Sequence, residues 1–209
     1  MSTTKLCTVG ILAALALSAS AAASASATVW RGSLTGTIMK LTVKETTEPL
    51  KFKTKSGTVK CTGVKFVNAS IELGTVHSAA EALELTGCTL EGAGTCELES
   101  TTIKTEPVSD TLSVAEGNVV DKFTPEKGST LITVKLKKTE GCGLPTSLAL
   151  TGQVSTLIDK STSEAETEAK THTLRLTAES GSELTYEKES VTVTGAATFA
   201  VTEGGVFFA

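Results

Sequence analysis

The chain has 209 residues, and its 19 basic and 23 acidic side chains give a formal net charge of -4. The two signs are interspersed, so no long-range field exists to gather nucleic acid or to hold an anionic membrane. With 40% hydrophobic but only 4% aromatic residues, the core must be built from Leu, Val, Ile and Ala, which suffices for one all-β domain of this length.

Residues 1–27 form the three-part pattern of a secretory signal peptide. Lys5 lies near the start, an apolar run extends from Leu6 to Leu17, and the small-residue string SASAAASASA follows. Ala25-Ser26-Ala27 is the best cleavage site, with Ala23-Ser24-Ala25 two residues earlier as the alternative, so the expected mature domain is 28–209. The apolar run is shorter than the roughly 20 residues of a spanning helix, and no later run reaches that length, so no membrane span is expected in the mature chain. Cys7 leaves with the peptide, and four cysteines remain: Cys61, Cys88, Cys96 and Cys142.

From Val29 onward, apolar and polar residues alternate in short segments broken by Gly, Pro, Ser or acidic residues, which is a strand signature. Leu41 and Val43 alternate with Thr42 and Lys44. In PLKFKTKSG, Lys51, Lys53 and Lys55 share one side and Phe52 takes the other, which predicts a lysine-protected edge strand. Val64 with Phe66, Ile71 with Leu73, and Leu83 with Leu85 mark the next strands. Glu81 to Glu84 also suits a helical turn, since Ala, Glu and Leu are good helix formers. Asn68-Ala69-Ser70 matches a glycosylation acceptor, a short pattern frequent by chance, and is given no role.

Further along, Glu91 to Gly94 is a turn signal with two glycines. TLITVKLKK is the clearest strand, with Ile132, Val134 and Leu136 on its dry face. Gly152 within SLALTGQVSTLI predicts a bulge or bend. Asp159 to Lys170 is polar and free of large apolar residues, the pattern of an exposed loop. The last strands place Leu174 and Leu176, Val191 and Val193, and Phe199 and Val201 inward. Thr-Gly recurs at unequal intervals, so no repeat architecture is assigned.

Four cysteines in an exported chain predict two disulfides with three possible connectivities. A hairpin turning at Glu91 to Gly94 would put Cys88 opposite Cys96 at disulfide distance. Cys61 and Cys142 would then close a loop of about 80 residues, worth roughly 4 kcal/mol in the chain-entropy picture. Cys61 with Cys88 and Cys96 with Cys142 is the competing arrangement, because Cys61 and Cys88 can sit on neighbouring strands.

No other constellation outweighs an ordinary structural role. None of the cysteine pairs has the close spacing of a structural zinc site, and no metal or cofactor is expected. His77 and His172 are the two histidines. A Ser-His-Asp set could be drawn from His172 with Asp110, Asp121 or Asp159, yet no G-x-S-x-G elbow is present, and no catalytic residue is assigned. Glu164, Glu166 and Glu168 lack the order of a calcium loop and read as solvated charge. Trp30, Tyr186 and six Phe offer few platforms for stacking sugars. The terminal Phe207-Phe208 is not accompanied by the aromatic girdles of an outer-membrane barrel.

TGCTLEGAGTC, followed by TTIKTEP, DKFTP and a lone Gly-Cys, resembles a group of secreted actinobacterial proteins of unknown function. The resemblance runs from about Lys51 to the C-terminal Gly-Gly-Val-Phe-Phe and is most specific at Gly87 to Cys96. It implies no activity, ligand or catalytic residue.

The sequence therefore predicts an all-β, disulfide-stapled sandwich or distorted barrel, a single domain following the signal peptide. The expected role is that of a structural or interaction protein of the cell surface or extracellular space, more in keeping with the residues than an enzyme. Its partner is unidentified, with a cell-wall or extracellular polymer as the candidate. A secreted hydrolase without a recognisable motif is the alternative.

Overall fold

A computed structural model describes residues 29–32, 38–115, 118–158, 171–176, 182–201 and 206–208, without the side chains of 30–39, 44, 115, 171–174 and 201–208. The expected signal peptide and the Asp159 to Lys170 segment, with Glu164, Glu166 and Glu168, lie outside the described residues. Within them the regular structure is all strand. In chain order the strands are β1 (Trp30–Gly32), β2 (Ile38–Thr54), β3 (Gly57–Val67), β4 (Ser70–Glu72), β5 (His77–Ala80), β6 (Ala82–Glu91), β7 (Ile103–Lys104) and β8 (Val108–Ala115). They continue as β9 (Asn118–Pro125), β10 (Thr130–Lys135), β11 (Ser147–Ile158), β12 (Thr171–Leu176), β13 (Glu183–Tyr186), β14 (Glu189–Ser190), β15 (Thr192–Val201) and β16 (Val206–Phe208).

The pairings close on themselves. Going round, β11 pairs β9, then come β8, β5, β4, β2, β15 and β12, and β12 returns to β11, so eight antiparallel strands form a barrel with no free edge. Of the two predicted architectures, the barrel is the one adopted.

Three of its strands are long enough to serve a second tier. The far half of β2 also pairs β3, which leads to β6 and β7, while the first half of β11 pairs β10 and β13. Single bridges, Thr105 to Ile132 and Leu98 to Leu136, join the β7 side to β10. The hydrogen bond from Val191 N to Leu184 O joins β13 to the start of β15. Apart from these tiers, β1 and β16 make a small ribbon with Trp30 opposite Phe208.

Two glycines let the shared strands turn between tiers. Gly152 has φ 114° and sits where β11 changes partners, and a Cβ there would lie 2.1 Å from Glu183 O. The bend expected from the sequence is present. Gly195 has φ 143° at a register shift of β15 against β2, with Leu50 and Pro49 too close to admit a side chain.

The core follows the predicted alternation. Ile132 and Val134 of β10 and Leu136 just past its end are buried, as are Val191, Val193 and Phe199 near the C-terminus and Ile71, Leu73 and Leu85 in the cysteine region. Glu81 to Glu84 forms no helical turn, since Ala82 begins β6 and pairs with Val67. Cross-strand partners override the local helical propensity there.

The lysine-protected edge strand is corrected. Lys51 and Lys53 belong to β2, which at those residues pairs with β15 on one side and β3 on the other. They are exposed because they face outward from an interior strand. Alternation reports which face of a strand is wet, whereas an edge is a property of the whole sheet.

Candidate functional site

The four predicted cysteines form two bonds, Cys61–Cys88 and Cys96–Cys142, which corrects the expectation of Cys88 with Cys96 and Cys61 with Cys142. The glycine turn exists, with positive φ at Gly92 and Gly94, but the chain leaving it does not fold straight back on β6. Cys88 N donates to Thr101 O, and Leu85 is opposite Ile103, so the chain returns to the level of Cys88 only at Thr101, five residues after Cys96. Cys88 lies instead opposite Cys61 in the β3–β6 register, with Cα atoms 4.0 Å apart. Cys96 meets Cys142 at 4.7 Å, where Thr139 Oγ1 donates to Thr95 O and Thr95 Oγ1 donates to Glu140 O.

Glu99 N still donates to Lys135 O at 2.9 Å, and from there to the Thr105 bridge residues 100–104 bow away from β10. The gap is a solvent-facing groove of about 450 Å³ lined by Glu99, Ser100, Thr102, Ile103, Lys104, Thr133 and Lys135. Its rim is held at both ends. Cys96 is tied to Cys142 just before Glu99, and Thr101 accepts the Cys88 backbone bond in mid-bow. Ser100 Oγ accepts from Thr102 N at 3.0 Å, and Lys104 Nζ lies 3.1 Å from Glu84 Oε2. The groove thus offers hydroxyls and ammonium groups in a volume suited to a small ligand or a segment of a polymer.

A second constellation lies inside the barrel. Asp110 of β8 and Asp121 of β9 are diagonal neighbours on the inner face, since Asp110 is opposite Phe123 and Asp121 opposite Leu112. Their residues are only 4% and 2% exposed. Ser78, across from Asp110 on β5, donates its hydroxyl to Asp110 Oδ1. Thr156 of β11, across from Asp121, spends its hydroxyl on Asp121 O at 3.3 Å. Asp121 Oδ1 has no hydrogen-bond partner.

Burial pushes the Asp110 carboxyl above the usual range, moderated by hydrogen bonds from Asp121, Ser78 and the backbone and by the charge of His77. Asp121 is raised much further, by burial first and then by the negative charge of Asp110 beside it. Both carboxyls are thus pushed the same way, towards keeping a proton at the pair, and Asp121 more strongly than Asp110. The adjacent void is about 10 Å³, too small for a substrate.

The chain matches no protein-family model, no curated protein and no solved structure.

Among the remaining candidates, His77 is exposed at the end of β5 and faces away from the barrel interior. His172 stands opposite Phe199 on β12, with its side chain outside the described residues, and Asp159 lies outside them altogether. Trp30 and Phe207-Phe208 are placed only by the β1–β16 register. Among the described residues no three His, Cys, Asp or Glu side chains group as metal ligands, and no helix is long and apolar enough to cross a membrane. Sequence reasoning named Asp110 and Asp121 singly and missed that they adjoin. Their positions in VSDTL and NVVDKF, each inside an apolar alternation, were the available signal.

Proposed function

We propose that this is an exported protein of the cell surface or extracellular space that acts as a structural or binding protein, with the 99–104 groove as its contact surface for an extracellular polymer. The observation that carries the reading is the contrast between its two polar constellations. The paired aspartates are sealed in the core, while the surface groove is lined by hydroxyls, two lysines, Glu99 and Ile103 and is braced by both disulfides. The leader-like pattern of residues 1–27 supports export, and two disulfides suit an oxidising compartment. The likeness of the Gly87–Cys96 cassette to secreted actinobacterial proteins belongs to the same reading.

Lys104 and Lys135 are both exposed at the groove, so an anionic wall polymer or acidic polysaccharide is the preferred partner class. Retention of the protein, truncated to start at Thr28, on cell-wall fractions and purified anionic polymers tests this. Replacing Lys104 and Lys135 together by Ala should weaken binding on the order of tenfold and leave the strand spectrum unchanged. Absence of binding, or equal binding by the double variant, overturns it. Turnover in a screen of ester, peptide and glycoside substrates, abolished by His172→Ala, would replace it with the secreted-hydrolase reading.

A further inference from the structure

We propose that Asp110 and Asp121 form a one-proton lock on the barrel wall β5–β8–β9: a shared proton holds the wall closed, and its loss as pH rises releases it. The geometry requires a single neutralising charge. Two carboxyl groups meet on adjacent strands, sealed from water, and the facing residues from the other elements are Ser78, Thr156, Leu41, Phe66 and Phe199. The nearest basic residues along the wall, His77 and Lys122, are one residue out of phase with Ser78 and Asp121 and so belong to the outer face. On β12, His172 is opposite Phe199 in register.

A metal ion fits poorly. The void beside the pair has room for one water at most, and hard cations need six or more oxygen ligands. A proton fits without extra space. Protonated Asp121 donates to Asp110, Ser78 donates to the same carboxyl, and three strands are tied through side chains as well as backbone. Once the proton leaves, two like charges sit together in an apolar enclosure with Asp121 Oδ1 already unpartnered, and the cheapest relief is entry of water between β8 and β9.

The test is amide hydrogen exchange on the protein with its disulfides intact between pH 5 and pH 10, corrected for intrinsic exchange. Peptides covering 108–125 should lose protection by up to about tenfold per pH unit as pH rises towards the value at which the folded pair gives up its proton, the slope of a single-proton equilibrium, and level off above it, while those covering β3 and β6 keep theirs. Asp121→Asn, whose amide donates permanently to Asp110, should hold 108–125 protected throughout. Equal responses of wild type and variant, or uniform loosening of the barrel, would overturn the lock. Should the variant fail to fold, carboxyl carbon NMR of the unmodified protein decides: one protonated Asp side chain at pH 5 supports the proposal, and full ionisation refutes it.

Discussion

Cys61 and Cys88 face each other directly across β3 and β6, and the backbone N–H of Cys88 reaches out on the other side to Thr101 O at 2.9 Å. One residue thus ties the bonded strand pair to the bowed segment that lines the groove. Peptide mapping without reduction should recover Cys61 linked to Cys88 and Cys96 linked to Cys142. A Cys88–Cys96 peptide would contradict the fold. The two bonds span sequence separations of 27 and 46 residues. Removing either by a double Ala substitution should cost roughly 3 to 4 kcal/mol in the chain-entropy picture, and loss of Cys96–Cys142 should also weaken polymer binding by freeing one end of the groove.

The buried acid pair sets the pH dependence of stability. Both carboxyl groups are raised in the folded chain above the usual carboxylate range, burial being the main cause. Above that range the unfolded chain has released protons that the folded chain retains, so the contribution is fully present below it and is lost as pH rises through the folded values. Asp121→Asn removes the larger part of this dependence and leaves that of Asp110. Chemical denaturation should find the variant gaining on the wild type as pH increases from 4 to 9. A constant difference between the two across that range would contradict the assignment.

Gly152→Ala should destabilise the protein by about 2 kcal/mol or more, because a side chain there combines an unfavourable positive φ with a collision against backbone. Glycine 143, where a Cβ meets nothing within 4 Å, is the control: Gly143→Ala should change the urea midpoint little. Similar midpoints for the two variants would remove the bend from its assigned role.

The sparse aromatic content leaves space inside. A cavity of about 70 Å³ lies within the barrel, with Ala197 and Val154 among its almost wholly apolar lining. Ala197→Val places two methyl groups toward that space on a strand that favours β-branched residues, and should raise stability by about 1 kcal/mol. A drop in melting temperature would mean that the surrounding walls cannot accommodate the added volume.

The amount of structure legible in advance differs by physical origin. Faces were readable: Ile132, Val134 and Leu136 alternate in sequence and are buried together, because a strand's side chains obey period two whatever lies beside it. Edges and partners were not. Lys51 and Lys53 have the same local pattern whether β2 is at a rim or between β15 and β3, and the pairing with β15 joins residues nearly 150 positions apart. The disulfide pairing failed for a related reason. A Gly-rich turn predicts reversal of direction but not how many residues pass before pairing resumes, and here Thr101, rather than Cys96, reaches the level of Cys88. The groove arises from that same excess of chain between Leu98 and Thr105.

β15 has a further consequence. It completes the wall beside β2, so one of the first described strands finds a neighbour only among the last. During synthesis from the N-terminus, β2 must wait with that side unpaired until residues near 201 emerge. Contacts so distant in sequence make closure slow and late. A truncation that removes β15 leaves an open sheet edge prone to joining another molecule.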